Sequence, residues 1–238
     1  MMKVIINPEY EHLSDFINTI PKVFNTSGEI VYEGRNILKR FEVVNVRFVV
    51  KRFKVPHLVN RIVYSSIRKS KACRSYIHAF KLQKYGINTP TPIAYIEEFK
   101  GGILSYSYYI SAEIADAHEI REFYFDPVIG NRAHILDAFG TFTANMHKKN
   151  ILHKDYSSGN VLYKLKDNTL EFFLVDINRM QFGRSISEEK GYENFRRLWL
   201  SDEVFTVIAR SYAQAMGYDI NHAVERILYY KKKFMNET

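Results

Sequence analysis

His153, Asp155 and Asn160 stand at the spacing H-x-D-x-x-x-x-N. Phosphoryl transfer asks little covalent chemistry of a protein. It requires a carboxylate to accept the proton of an attacking hydroxyl, and oxygen ligands to hold a divalent cation against phosphate. In that chemistry Asp155 is the base and Asn160 a metal ligand. Sixteen residues further on, the apolar run Phe172–Val175 ends in Asp176. A carboxylate at the end of a buried strand has lost water, and a divalent cation compensates it. About a hundred residues upstream, Lys51 lies in Arg47-Phe-Val-Val-Lys51-Arg-Phe. Strand alternation places Lys51 with Val49 facing inward and Arg52 on the opposite face, so Lys51 is the candidate to contact the α- and β-phosphates. Taken singly, these residues also suit a capping Asp, a turn Asn and an exposed strand lysine. Their order along the chain favours chemistry: helix, motif, strand, strand-terminal Asp, with a strand lysine upstream.

The segments around these residues supply the elements to position them. Residues 9–24 carry Leu13, Phe16, Ile17 and Ile20 at helical spacing. Strands are expected at 29–32, 36–44 and 45–53, the last ending near Lys51. Helices follow at 57–68 and 70–85, the latter with Ala72, Tyr76, Ala79, Phe80 and Leu82 as its apolar stripe. Gly86 suits the cap of that helix, and Pro90 and Pro92 forbid its continuation. Two more strands, 93–98 and 104–111, flank a Gly101-Gly102 turn. Beyond these the character changes to a helix at 131–149, short strands at 161–163 and 170–175, and helices at 189–198, 201–216 and 219–234. A strand-rich first half and a helix-rich second half predict an α+β, two-lobed architecture, with an N-terminal lobe over 1–111 and a C-terminal catalytic lobe over 112–238. Gly34, at a strand–strand turn before Lys51, is a weak phosphate-cradling element because GxGxxG is absent. Arg35 beside it can supply side-chain charge in place of backbone donors, whereas Gly34 can equally serve a tight turn alone.

The net charge of +8 is concentrated. No Asp or Glu occurs from Val43 to Ile96, a window holding eleven Lys and Arg, and the rest of the chain is close to balanced. Such a segment fits a dedicated anionic contact surface or a solvated helical face. Charge alone would also attract nucleic acid, but no nucleic-acid motif accompanies it. The single cysteine, Cys73, excludes an intramolecular disulfide and a cysteine-rich metal cage. Asn7, Pro8 and Glu9 interrupt the N-terminal apolar run, so no secretory leader is expected, and no stretch approaches a membrane-spanning length. A protein of a reducing, cytoplasmic compartment is the expectation. His147 and His153 flank the motif without the further ligands a zinc site needs, so His153 is expected to pack and bond the loop backbone.

Several stretches together resemble the lipopolysaccharide kinase (Kdo/WaaP) family, especially its small bacterial members. They are GRN at Gly34–Asn36, VKRFKVPHLVNRIVY at Val50–Tyr64, RKSKACRSY at Arg68–Tyr76, GINTPTPIAYIE at Gly86–Glu97, FTANMHKKNILHKDYSSGNVL at Phe142–Leu162 and LVDINRMQFG at Leu174–Gly183. The resemblance spans roughly residues 30–200. It implies a bilobal protein-kinase-like fold, ATP with Mg²⁺, and phosphorylation of a sugar hydroxyl, Kdo or heptose, in the lipopolysaccharide inner core. By motif, Asp155 would be the base, Asn160 and Asp176 the metal and nucleotide ligands, and Lys51 the phosphate lysine. Gly34, Arg35 and Asn36 would form the nucleotide-facing turn. Tyr109, Ile110, Ser111 and Glu113 would lie in the linker whose backbone meets adenine. Asn178 and Arg179, after Asp176, favour this family over protein kinases, which have Phe-Gly there.

One departure stands out. Kinases pair the strand lysine with a Glu on the following long helix, and the acid-free window contains none; Ser75 and His78 occupy that helix. Either Glu97 or Glu113 reaches Lys51 from elsewhere, or the lysine acts unpaired, or activity is reduced. The resemblance gives the basic segment a role in peripheral contact with the anionic inner face of the inner membrane, where a lipid-linked acceptor would lie. The helix at 219–234, ending in Lys231-Lys-Lys233, is a second candidate contact, although lysines also complement a helix C-terminus. Other readings are a kinase for a soluble sugar, aminoglycoside or protein, and a pseudokinase binding nucleotide or anionic glycolipid.

Overall fold

Alternating apolar residues in the first half of the chain build a six-stranded antiparallel sheet in the computed structural model, which describes residues 1–55, 69–125, 132–167 and 169–237. The strands are β1 (Met2–Ile6), β2 (Glu29–Glu33), β3 (Ile37–Val43), β4 (Val46–Phe53), β5 (Pro92–Lys100) and β6 (Ile103–Ala112). Their spatial order is β1-β5-β6-β4-β3-β2. β4 continues past Lys51 to Phe53. β1 has no counterpart among the strands expected from sequence. It lies at the sheet edge, Met2 opposite Glu98 and Ile6 opposite Ala94, and its partner is too remote along the chain for any local pattern to reveal it. The expected helix at 57–68 lies outside the described residues.

Alternation along β4 sends Phe48 and Val50 to one sheet face with Phe41, Ile96, Tyr108 and Ile110. Helix α1 (Ser14–Val23) covers that face with Ile17 and Ile20, helped by Leu13 and Phe24 at its ends. The helical segment expected at 9–24 is therefore divided: Pro8–Leu13 forms a 3-10 turn, capped by Asn7, and the α-helix begins at Ser14. On the opposite face, Phe53, Tyr95 and Tyr109 meet Ala72, Cys73 and Tyr76 of α2 (Lys71–Lys84). Phe80, expected in the apolar stripe of α2, is 40% exposed, while Cys73 is buried; the buried face of α2 is centred on positions 72, 73, 76 and 79. Gly101 and Gly102 make the β5–β6 turn at φ 57° and 75°, a conformation glycine reaches without a Cβ penalty.

This sheet belongs to one compact unit, Met1–Lys84 with Thr89–Ala115; Tyr85–Asn88 and Asp116–Thr238 form the other. In the second unit helices dominate: α3 (Glu122–Phe125), α4 (Ala133–Lys148), α5 (Glu188–Asn194), α6 (Asp202–Met216) and α7 (Ile220–Asn236). Three of them start at side-chain caps that satisfy otherwise orphaned backbone donors. Ser187 accepts from Lys190 N, Ser201 from Val204 N, and Asp219 from His222 N. Short strands β7 (His118–Glu119), β9 (Val161–Lys166) and β10 (Thr169–Leu174) form one small sheet, and β8 (Ile151–His153) pairs with β11 (Met180–Phe182). Buried Phe139, Tyr156, Phe195 and Tyr212 form an aromatic core beneath β8 and the loop after it. A strand-rich first unit and a helical second unit make the α+β class expected from the sequence.

Candidate active site

The stretch from His153 to Asn160 is fixed from below by one imidazole. His153 is fully buried. Its Nε2 faces the carbonyl oxygen of Val175 at 3.0 Å, and its Nδ1 faces the backbone N–H of Asp155 at 3.1 Å. A carbonyl only accepts and an N–H only donates, so Nε2 carries the proton and Nδ1 is the acceptor. The ring is therefore neutral, and burial lowers its pKa in the same sense. One side chain thus ties the loop at Asp155 to the residue preceding Asp176. It bonds the loop backbone as the sequence led one to expect.

A second histidine extends the scaffold. Asn194 Nδ2 donates to the His153 carbonyl at 3.0 Å, which turns its Oδ1 toward His147 Nε2 at 3.1 Å. His147 Nδ1 then accepts from the Tyr212 hydroxyl at 3.0 Å. Elements α6, α4, α5 and β8 are linked in sequence by these bonds. Burial pushes the His147 pKa down to about 4. Tyr156, also fully buried, adds an anchor by donating to Thr143 Oγ1 at 2.8 Å, since that hydroxyl's own proton goes to Phe139 O.

The two neutral imidazoles have a consequence for stability against pH. A histidine whose folded pKa lies below its unfolded value binds more protons when unfolded, so it favours folding above about 6.5 and ceases to do so as pH falls through the folded value. For His147 the window runs from about 6.5 down to about 4, and the loss is on the order of 3 kcal/mol when complete. Thermal unfolding followed between pH 7 and 5, above the main carboxylate range, is expected to show a falling Tm, and His147→Gln is expected to flatten that slope.

Around the loop, Asn160 Nδ2 donates to the Asp155 carbonyl at 2.8 Å. That bond turns the amide nitrogen toward the loop and Oδ1 away from the Asp155 carbonyl. Asn160 also accepts from Val175 N through its main-chain oxygen at 3.0 Å, so Asn160 and Asp176 are held to one another through Val175. Asp176 occupies the left-handed region, φ 52° and ψ 42°, which Asp tolerates better than most residues. It turns the chain from β10 into the single 3-10 turn Ile177–Arg179, and its Oδ1 accepts from Asn178 Nδ2 at 2.6 Å. The other end of that amide, Asn178 Oδ1, is buried and has no hydrogen-bond donor among the described residues. The Asp155 carboxylate pairs with Arg197 through Oδ1, and Arg179 Nη1 lies 3.9 Å from Oδ2.

In the sheet unit, Lys51 and Arg52 lie on opposite faces of β4. Arg52 stacks its guanidinium over Phe24 and Tyr106 on the α1 side and donates to Asn25 Oδ1 at 2.7 Å. Lys51 Nζ lies 5.4 Å from the Phe53 ring centroid on the α2 side, and Lys71 Nζ of α2 lies 5.9 Å from the same ring. Where a kinase glutamate is sought, Ser75 is buried and its hydroxyl bonds back to the Lys71 carbonyl. The two carboxylates considered for Lys51 meet other cations. Glu97 is 3.9 Å from Lys3 Nζ, and Glu113 accepts from Arg40 Nε at 2.5 Å with Arg47 Nε 3.9 Å away. Gly34, Arg35 and Asn36 form the β2–β3 turn, and Asn36 Oδ1 accepts from Lys54 N, tying the turn to the end of β4.

The expectation that Tyr109, Ile110 and Ser111 offer their backbone to a base needs correcting in one respect. These residues lie inside β6, between β4 and β5, with Tyr109 opposite both Lys51 and Tyr95, Ile110 opposite Val50 and Ala94, and Ser111 opposite Val49 and Pro92. Their main-chain groups are committed to the ladder, and the Ile110 side chain is in the core. Even Glu113 N donates to Arg47 O. Arg197 and Asn194, which touch the site directly or through one bond, escaped the sequence reading. They lie some forty residues beyond the motif, and no spacing rule connects them to it.

No helix among the described residues is long and apolar enough to cross a membrane. No curated protein matches the sequence. A solved structure described as WaaP in complex with acyl carrier protein is similar over 98% of each chain, with a TM-score of 0.63 at 14% identity, which shows the same kinase-like fold. Residues 28–216, well over half the sequence, match a family of kinases, and the chain belongs to the lipopolysaccharide kinase (Kdo/WaaP) family.

Proposed function

We propose that this chain transfers the γ-phosphate of ATP, with Mg²⁺, to a sugar hydroxyl of the lipopolysaccharide inner core, Kdo or heptose. The observation that carries it is the arrangement about Asp155: a carboxylate on a loop pinned by His153, beside an asparagine whose amide nitrogen bonds that loop and whose oxygen points away from it, coupled to the aspartate two residues beyond β10. Mg²⁺ prefers a few protein oxygens and completes its shell with water and phosphate. Asn160 Oδ1 and the Asp176 carboxylate fit that preference, and the buried, undonated Asn178 Oδ1 beside Asp176 adds to the oxygen-rich lining. When bound, the metal would neutralise charge on the β- and γ-phosphates.

Asp155 accepts the proton of the acceptor hydroxyl. His153 keeps the loop from moving as that happens, because displacing it would strand Asp155 N and Val175 O without partners. Lys51 contacts the α- and β-phosphates, and the Gly34–Asn36 turn covers them. With Tyr109–Ser111 committed to the ladder, adenine is met by residues of the connection that begins at Glu113. The basic segment draws the protein to an anionic leaflet, each Lys or Arg near the surface contributing about 1 kcal/mol.

The test is phosphate incorporation from γ-labelled ATP into purified inner-core acceptor, with and without EDTA. Transfer that requires the divalent ion is the expected result. Mass spectrometry of lipopolysaccharide from cells with and without the gene then locates the phosphate, and an unchanged profile would count heavily against this acceptor. The buried Ser75 in place of a helix glutamate favours one second reading, a pseudokinase; nucleotide binding without transfer to any acceptor would establish it.

A further inference from the structure

The Asp155 carboxylate lies between two guanidinium groups, Arg197 on Oδ1 and Arg179 near Oδ2. Two cations thus converge on one carboxylate where a hydroxyl must approach, and both guanidinium groups have donors to spare beyond it. Both arginines are anchored by main chain. Arg197 forms a parallel bridge with Ser157, inside the motif loop. Arg179 O accepts from Lys154 N. The Arg197 guanidinium also lies 5.4 Å over the Phe234 ring of α7, which Trp199 meets edge-on. Of the other acids, Glu193 pairs with Lys190 and Arg196, Glu189 pairs with Arg226, and Asp176 accepts from Asn178 Nδ2. All three side chains of the cluster reach solvent, 31% for Asp155, 38% for Arg197 and 57% for Arg179.

We propose that Arg197 and Arg179 form an anion subsite that reads a carboxylate or phosphate carried by the acceptor beside its reacting hydroxyl. This rests on the phosphotransfer reading above. A guanidinium seated on Oδ1 covers a lone pair that a base needs. An acceptor anion offers Arg197 a second set of oxygens in the fork geometry that guanidinium matches. As Arg197 turns to it, Oδ1 is free to take the hydroxyl proton. The hydroxyl oxygen then bonds the γ-phosphorus, and the bond from that phosphorus to the bridging oxygen breaks, its electron pair leaving with ADP. A neutral acceptor leaves the Asp155–Arg197 pair closed. The charge of the acceptor is thus read through release of the base as well as through binding.

The experiment compares kcat and KM on three purified inner-core acceptors: one with free carboxylates, one methyl-esterified, and one stripped of phosphate. The wild-type protein is expected to prefer an anionic acceptor by about 100-fold in kcat/KM, the scale of losing one hydrogen bond to a charged group at a partly exposed site. Arg197→Gln is expected to bring that ratio within about 3-fold of unity, and Arg197→Lys to restore part of it. Loss of selectivity for the esterified acceptor assigns the carboxylate; loss for the stripped one assigns the phosphate; either supports the subsite. If Arg197→Gln lowers charged and neutral acceptors by one common factor, the arginine only positions Asp155 and the proposal is wrong. If the wild-type protein transfers phosphate to none of the three, the phosphotransfer reading itself falls.

Discussion

Replacing Asp155 by asparagine is expected to lower phosphate transfer by about 10³-fold, while nucleotide affinity stays within a few-fold of the wild type. Proton transfer to a positioned side chain contributes between 10² and 10⁴ in rate, and here the acceptor oxygen becomes a nucleophile only as its proton leaves. Asparagine keeps the shape of the loop, since the bonds that hold it use the backbone of 155: its N–H to His153 Nδ1 and its carbonyl from Asn160 Nδ2. Single-turnover transfer with calorimetric nucleotide binding measures both quantities. Retained transfer would remove Asp155 from the mechanism. Loss of nucleotide binding would mean that the carboxylate serves the triphosphate and not the acceptor.

Gly140→Ala is expected to destabilise the fold by about 3 kcal/mol, although alanine is the better helix former by about 1 kcal/mol. Gly140 lies in α4 where that helix meets α6. A Cβ there would stand 2.5 Å from the Ile208 carbonyl oxygen, 3.0 Å from Tyr212 N and nearer still to Ser211 Oγ. Two of those atoms belong to the α6 backbone, so relief requires the helices to part, and overpacking of this kind costs more than propensity returns. The same helix pair carries His147 and Tyr212, so the separation would also loosen the network under His153. For a chain of this size the change corresponds to a fall in Tm of roughly 10 °C. Calorimetric unfolding of Gly140→Ala beside the wild type decides it, and an unchanged or raised Tm would show that α4 and α6 part without cost.

Features written in neighbouring residues were legible. Strand alternation placed Lys51 and Arg52 on opposite faces because the side-chain period of a strand is fixed at two. The Gly101-Gly102 turn and the stop at Gly86, which lies at φ 65°, follow from glycine's freedom at positive φ. His153 was legible as a backbone-bonding residue because the further ligands a zinc site needs are missing around it, which left its ring to the loop. Helix periodicity was less secure: in α2 it admitted Phe80 to the core and passed over Cys73, because the width of a buried stripe depends on what packs against it.

The sequence by itself determined the α+β class, the kinase motif and the family, because these depend on residue type and short-range spacing. Only the tertiary structure decided which groups share a bond across long stretches of chain. β1 finds its place at the edge of β5, Tyr109–Ser111 sink into the middle of the sheet, and Glu113 is taken by Arg40. Asn194 couples two buried histidines beneath the loop, and Arg197 closes on Asp155. These pairings are selected by burial, which penalises any polar group left without a partner. That penalty acts on whatever the fold brings near, and distance along the chain carries no record of it.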